Sequence, residues 1–396
     1  MRIGIDYTAA VRQVAGIGRY TRELVSALLA LESDNEYVIF AATGELRAGR
    51  WEREQERLRA AAGEHDAGRS GAPGRALAFR SLPLSDEWMA RLWHRLRLPI
   101  PIDAVTGPLD LLYCPDFVLP PTRRATRTVV TVHDLSFLRW PEAYVAPLRR
   151  YLERVVPRSV TRADLVLADS AHTRSDIVSL LGGQRGKVRV LLSGVDPRFH
   201  PGFEVGDRAH LQAFYGFGER PYVLSVGTLQ PRKNYVRLIQ AFTALDTQTQ
   251  LVIAGAPGWL YDEILAEAEL HGERVRVVGF VDDADLPLAY RNAALFAMPS
   301  LYEGFGLPVL EAMACGVPVV CSNTSSLPEV AGDAALLIDP LDISALSQAM
   351  ARALEDERLR QEMVAKGQKQ SAHFTWQRAA RELLCSFEQA AGDVDT

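Results

Sequence analysis

Short apolar segments alternating with helix-like stretches set the strongest limit on what this chain can fold into. The first series runs Arg2–Asp6, Tyr37–Ala41, Leu111–Cys114, Thr128–Val132, Leu165–Ala168 and Lys187–Leu192. A glycine loop, Gly16-Ile17-Gly18, and an expected helix over Arg19–Leu31 separate its first two members. A second series starts at Tyr222–Val226 and continues through Gln250–Ala254, Val275–Val278, Leu295–Met298 and Val317–Cys321. Helices are expected between these at 234–245, 260–271, 285–292 and 307–315. Strands joined by helices pair in parallel, because the crossover covers a sheet face. The expectation is an α/β chain of two Rossmann-like domains with a central cleft, where a ligand meets the C-terminal strand ends.

At 396 residues the chain is long for one domain, and its 48% apolar content supports two sizeable cores. The boundary is expected near 196–220. Residues 1–196 form the first domain, 197–370 the second, and 371–396 a closing helical segment, with a helical tail expected over 343–391. Residues 44–80 are rich in Arg, Glu, Ala and Gly with weak periodicity, and read as an exposed or partly disordered insertion.

A net charge of −5 gives no global basic field, so no nucleic-acid partner is expected. Cys114, Cys315, Cys321 and Cys385 form no C-x-x-C pair and no Cys/His cluster, so no metal site is expected. Reduced thiols, the absence of a signal-peptide pattern and the lack of any run of about 18 apolar residues point to a cytoplasmic protein that does not span a membrane.

The most chemically specific stretch is 299–318. Glu303 and Glu311 enclose seven residues, among them Gly304-Phe305-Gly306, and Pro308 suits a first helical turn. Glycines admit close backbone approach, and free N–H groups at a helix start suit phosphate or polyol oxygens. In Ser225-Val-Gly227-Thr-Leu-Gln-Pro-Arg232-Lys233-Asn234 a strand ends, a glycine turns the chain, and two cations precede a helix. That arrangement fits a diphosphate, with Arg232 binding two oxygens and Lys233 adding a point charge. The other reading of each motif is an ordinary capped or solvated helix start.

Gly16-Ile17-Gly18-Arg19 lacks the third glycine of a dinucleotide fingerprint, Thr21 standing in its place. Thr131-Val132-His133-Asp134 ends a first-series strand, where a lone histidine is often structural. Residues 85–100, with Trp88, Arg91, Trp93, Arg95 and Arg97, suggest a basic amphipathic helix. It either packs its Trp/Leu face on the first domain or meets a membrane surface peripherally.

These motifs, in this order along nearly the whole chain, resemble retaining glycosyltransferase family 4, whose fold is called GT-B and whose final helix returns to the N-terminal domain. The resemblance implies that Glu311 binds the nucleotide ribose and that Glu303 lies near the donor sugar and its reacting carbon. It implies that the backbone of Gly304, Phe305, Gly306 and Leu307 meets sugar hydroxyls and phosphate. The backbone around Val281, in Gly279-Phe-Val281-Asp282, would read the nucleobase. Gly227, Arg232 and Lys233 would hold the diphosphate. Gly16, Gly18 and Arg19 would face the acceptor, Gly18 reaching the donor phosphate as well, and His133 would touch a donor-sugar hydroxyl or the acceptor side. Ser322–Glu329 and Ser193–Asp196 depart from the family pattern, which has more glycine in the one and Asn before the glycine in the other. Thr324 and Ser325 are expected near the diphosphate.

The function expected is metal-independent, retaining transfer of a sugar from a nucleotide diphosphate to a glycan or lipid-linked saccharide hydroxyl. His133, Glu303, Arg232 and Lys233 carry it, with no resident cofactor. The first choice of donor is GDP-mannose, by resemblance to mannosyltransferases of surface-polysaccharide assembly. The location would be the cytoplasm, peripheral at the inner membrane face if the 85–100 segment makes contact. The alternatives are a GT-B-fold nucleotide-sugar epimerase, a catalytically silent nucleotide-sugar-binding protein and, disfavoured by Thr21, an NAD-dependent oxidoreductase.

Overall fold

The computed structural model describes residues 1–14, 16–63, 76–95, 98–202 and 206–392. The chain forms two compact units. The first comprises Met1–His133, Tyr151–Gly194 and the C-terminal segment from Trp376; the second comprises Asp134–Arg150 and Val195–Thr375. The chain passes from one unit to the other after His133, Arg150, Gly194 and Thr375.

The first unit holds a seven-stranded parallel sheet: β1 (Arg2–Asp6), β2 (Glu36–Ala42), β3 (Leu77–Leu82), β4 (Leu111–Cys114), β5 (Arg127–Val132), β6 (Leu165–Ala168) and β7 (Val188–Val190). Its order is β3-β2-β1-β4-β5-β6-β7. The central strands are largely apolar because helices cover both faces; Ile3, Ile5, Val38, Ile39, Leu112, Val129 and Val166 are fully buried. The order reverses direction between β1 and β4, the position where doubly wound sheets open a crevice at their C-terminal strand ends. Asp6, Asp116, His133 and Asp169 all lie at such ends or in the loops that follow them.

The final helix, Trp376–Gly392, belongs to this first unit. Trp376 meets the Tyr20 ring edge-on at 5.9 Å, and Phe387 lies 5.3 Å from Tyr113. The helix thereby covers β4 and the helix Ile17–Ala30.

The second unit repeats the plan with six parallel strands: β8 (Tyr222–Val226), β9 (Gln250–Ala254), β10 (Val275–Gly279), β11 (Leu295–Met298), β12 (Val319–Ser322) and β13 (Ala335–Ile338). Their order is β10-β9-β8-β11-β12-β13, so the reversal lies between β8 and β11. Helices Tyr235–Thr243 and Ile343–Glu355 bury Leu238, Ile239, Phe242, Leu346 and Met350 in one core with β8, β9 and β11. Among the described residues no helix is long and apolar enough to cross a membrane.

Two expectations need correction. The described part of 44–80 is structured: it carries a helix, Arg50–Ala61, and the edge strand β3, while residues 64–75 lie outside the described residues. The helix buries only Trp51 and Leu58, and β3 pairs on one side alone, so neither left a strong apolar period. The 85–100 segment is not one amphipathic helix. It is a short helix, Asp86–Ala90, running into a wider turn at Arg91–Arg95, with residues 96–97 outside the described residues. Trp88 is 49% exposed under the Arg91 guanidinium, while Trp93 donates to the Ile100 carbonyl at 3.0 Å.

In the second unit, Asp207 and Arg291 form a buried two-point pair (2.6 and 2.9 Å) that ties helix Asp207–Tyr215 to helix Leu286–Arg291. Removing one member of such a pair leaves the other charge buried. Asp207→Ala should therefore lower the unfolding free energy by about 3 kcal/mol in urea titrations. A loss within the roughly 0.5 kcal/mol of an ordinary surface substitution would reject this pair as an anchor.

Candidate active site

The site in the second unit is assembled where three strands end. After β8 the chain turns at Gly227, whose φ is 153°. A Cβ there would stand 3.0 Å from Lys233 Cε, so the glycine makes room for the lysine stem. The Gly227 carbonyl accepts from the Tyr235 hydroxyl at 2.8 Å. A single 3₁₀ turn, Pro231–Lys233, then presents the two cations ahead of helix Tyr235–Thr243. Asn234, at φ 62°, joins turn and helix, its amide bridging the Pro299 and Pro340 carbonyls at 2.9 and 2.7 Å.

After β11 the loop 299–306 brings Glu303 onto those cations. Arg232 Nη1 lies 2.9 Å from Glu303 Oε2, and Lys233 Nζ lies 2.7 Å from Oε1. Arg232 also donates to the Tyr302 carbonyl. All three groups are almost wholly buried, with side-chain exposures of 10%, 11% and 9%. Burial alone would raise the Glu303 carboxyl; the Arg232 and Lys233 charges outweigh it and hold it at about 2. Burial pulls the Lys233 ammonium below its ordinary value, against the Glu303 charge.

The loop after β12 fixes the backbone of this carboxylate. Ser325 Oγ accepts from the Glu303 N–H at 2.9 Å, and Ser326 Oγ donates to the Glu303 and Phe305 carbonyls at 3.0 and 2.6 Å. Ser325 stands at φ 57°, a left-handed conformation that glycine adopts without strain. Its hydroxyl also donates to the Thr324 carbonyl at 2.7 Å. Thr324 itself donates to Leu301 at 3.3 Å.

Gly306, at φ 114°, precedes helix Leu307–Ala314, with Pro308 in the first turn. Glu311 lies on that helix, 2% exposed, and accepts from the buried Tyr290 hydroxyl at 2.8 Å. Val281 is buried in the loop after β10. Asp134, Tyr144 and Trp259 complete the surroundings in this unit. Asp134 accepts from Ser136 Oγ at 2.6 Å, Ser136 meets the Tyr144 hydroxyl at 2.5 Å, and Tyr144 packs on Trp259 at 5.4 Å. Trp259 donates to the Ala143 carbonyl at 2.6 Å. Asp134 and Tyr144 both act on Arg232 through space. Sequence reasoning missed Tyr144, Trp259, Tyr290 and the structural use of Ser326; no motif marks them.

In the first unit His133 is buried and both ring nitrogens are engaged. Nδ1 lies 2.7 Å from Asp169 Oδ2, and Nε2 lies 2.8 Å from the Pro115 carbonyl. Burial would lower the imidazole, but the charge and hydrogen bond of Asp169, with Asp116 and the Pro115 carbonyl, raise it to about 9. Gly16 stands at φ 58° and opens helix Ile17–Ala30. A Cβ on Gly18 would fall 2.1 Å from the Gln13 carbonyl, so that glycine serves the close packing of the preceding turn. Arg19 is buried on the first turn of the same helix, next to Tyr20, whose ring meets His133 edge-on at 4.8 Å. Among the described residues no group of three or more His, Cys, Asp or Glu is placed to hold a metal ion.

Two Rossmann-like parallel sheets, one with a cation–carboxylate cluster at the β8 and β11 ends, define a GT-B glycosyltransferase. The solved structures agree in fold. Sucrose-phosphate synthase from Thermosynechococcus elongatus matches with a TM-score of 0.71 at 20% identity, covering 98% of each chain. Anabaena HepE in complex with UDP and glucose matches with a TM-score of 0.72 at 18% identity, covering 98% of this chain and 100% of that one. The family model for Glycosyltransferase Family 4 matches residues 14–199, and that for Glycosyl transferases group 1 matches 207–370. O-antigen chain mannosyltransferase B of Escherichia coli is 35% identical over 384 residues, which is 95% of this chain and 96% of that protein. The GDP-mannose-dependent alpha-(1-6)-phosphatidylinositol monomannoside mannosyltransferase of Mycolicibacterium smegmatis is 34% identical over 50% of this chain and 54% of that protein. The chain belongs to glycosyltransferase family 4 and is mannosyltransferase-like.

A histidine whose folded value lies above its unfolded one stabilises the fold fully below about 6.5, and that contribution is lost as pH rises through about 9. The shift corresponds to on the order of 3 kcal/mol. Unfolding free energies of wild type and His133→Gln, compared from pH 6 to 9.5, should converge as pH rises. A constant gap across that range would contradict the charged His133–Asp169 pair.

Proposed function

We propose that the protein transfers mannose from GDP-mannose to a hydroxyl of a glycan or lipid-linked saccharide, with retention at the anomeric carbon and without a metal ion. The observation that carries this reading is the buried Arg232–Glu303–Lys233 cluster. The leaving group of such a transfer is a nucleoside diphosphate, whose developing charge needs cations already in place. The donor choice is supported by the relatives named for mannosyl transfer.

Charge counting refines the role of the cluster. Arg232 and Lys233 are balanced in part by Glu303 and, through space, by Asp134. The cations therefore do not supply an excess of charge by themselves. Backbone N–H groups at the Gly306–Leu307 helix start add the rest, as helix N-termini do for anions. Glu303, held at about 2, stays ionised at neutral pH and cannot donate a proton. It is suited to favour positive charge developing on the sugar and to hold the two cations in register. In this reading Glu311 meets the ribose, Val281 the base, and Gly16, Gly18, Arg19 and His133 the acceptor side. The acceptor proton passes to the leaving phosphate on the same face, so no protein nucleophile is needed.

The test is turnover with a panel of nucleotide-sugars and saccharide acceptors, read by nucleoside diphosphate release and by the anomeric configuration of the product. GDP-mannose should be the best donor. Arg232→Ala should weaken nucleoside diphosphate binding by about 1.5–3 kcal/mol, the scale of a charge-assisted bond. His133→Ala should depress turnover while leaving that affinity nearly unchanged. EDTA should leave the rate intact. Loss of activity on chelation, restored by Mg²⁺ or Mn²⁺, would replace the cation reading with a metal-assisted one, and an inverted product would remove the same-face route.

A further inference from the structure

We infer that Asp169 is a positioning residue for the transfer reaction: it keeps His133 doubly protonated, so that the end of β5 carries a fixed positive charge instead of a base. The inference rests on the proposal that His133 faces the acceptor side.

The geometry leaves the ring little choice. The Pro115 carbonyl can only accept, so Nε2, 2.8 Å away, carries a hydrogen. Nδ1 stands 2.7 Å from a carboxylate oxygen of Asp169, the distance of a charge-assisted bond. With Asp169 ionised, Nδ1 carries a hydrogen too, and neither nitrogen has a lone pair for an incoming proton. Asp169 sits just after β6 and His133 just after β5, paired neighbours in the sheet, which brings the two side chains to one level.

The other groups seen around the ring fit this state. Tyr20, on helix Ile17–Ala30, and Phe117, after β4, meet it edge-on at 4.8 and 5.5 Å. Tyr113, on β4, donates to or accepts from Thr131 at 2.9 Å, and Tyr20 lies 3.3 Å from Tyr113. Both phenols are buried and pushed up, so they stay neutral. Asp116 contributes a second negative charge from the β4 end. Helix Ala171–Leu181 contributes Thr173, whose hydroxyl donates to the His133 carbonyl at 3.3 Å. The neighbouring Asp134 is occupied with Ser136.

The sequence offers no motif for this partner. Asp169 lies 36 residues beyond His133 and is recognised only once β5 and β6 are paired.

The experiment uses the full-length enzyme with ¹⁵N-labelled histidine, as wild type, Asp169→Asn and Asp169→Glu, with the His133 signal assigned by its loss in His133→Gln. In wild type the His133 nitrogens should both read as protonated from pH 6 to 8. In Asp169→Asn they should convert to the neutral form within that range, and Asp169→Glu should restore the charged form. With saturating donor and acceptor, wild-type kcat should be flat from pH 6 to 8. The kcat of Asp169→Asn at pH 8 should fall by about tenfold, short of the ~10²–10³ cost of deleting a charge-stabilising donor, and recover toward pH 6. Nucleoside diphosphate affinity should not move.

A neutral His133 ring in wild type at pH 7 overturns the inference even if Asp169→Asn does not fold. So does a ring that stays charged at pH 8 in Asp169→Asn, or a kcat unchanged when the charge is lost. Full turnover in His133→Ala is a different result: it removes the acceptor-side reading of His133, whatever the ring's charge.

Discussion

The second unit depends on a carboxylate meeting two cations out of water. Arg232 and Lys233 come from the β8 end and Glu303 from the β11 end, 70 and 71 residues along the chain, and they touch only because β8 and β11 are adjacent in the sheet. Each charge would be costly to bury singly, and together they are tolerated because each has a partner at hydrogen-bond distance. Much of the surrounding loop structure makes those distances possible. The Asn234 amide ties the cation turn to Pro299 and Pro340, Leu301 N–H donates to the Arg232 carbonyl at 2.9 Å, and Ser325 and Ser326 hold the Glu303 backbone. A site built on strand ends and stitched by three loops loses little entropy on binding, because its charges are already oriented.

The parallel sheets were legible where strands are covered on both faces. β1, β4, β6, β8, β9 and β11 coincide with apolar runs, since burial on two sides leaves no polar positions to blur them. The edges were not. β3 and β13 pair on one side and carry partly exposed residues, and both escaped the apolar pattern. Helix Arg50–Ala61 buries two side chains and looked like solvated charge. The cation turn and the Glu303 loop were legible for a different reason: glycine, proline and charge occur together there in an order that ordinary turns seldom need.

What could not be read from sequence were partners supplied by spatial neighbours. Tyr290 beneath Glu311, Ser326 beneath Glu303 and Asp169 beside His133 are single residues of common type, each brought in by a different element. The departure at Ser322–Glu329 also has a physical account. A residue at φ 57° favours glycine, yet Ser325 receives the Glu303 N–H through its hydroxyl, so the strain of order 1 kcal/mol is offset by a bond glycine cannot make.

The protonation states of these groups bear together on the route of the acceptor proton. A useful general base holds its proton near the working pH. Glu303, at about 2, is too weak a base to take one from a hydroxyl. His133, at about 9 and with both nitrogens donating, has no lone pair to offer. Arg232 is charged at any attainable pH, and Lys233 is pulled below its ordinary value by burial, against the Glu303 charge beside it. Of the four side chains expected to carry the reaction, Glu303, His133 and Arg232 are therefore unsuited to deprotonate the acceptor at neutral pH. In the retaining transfer proposed above, the departing phosphate gains negative charge as the glycosidic bond lengthens and lies on the face from which the acceptor approaches. The same-face route is compatible with these protonation states because it asks of the protein only orientation and charge.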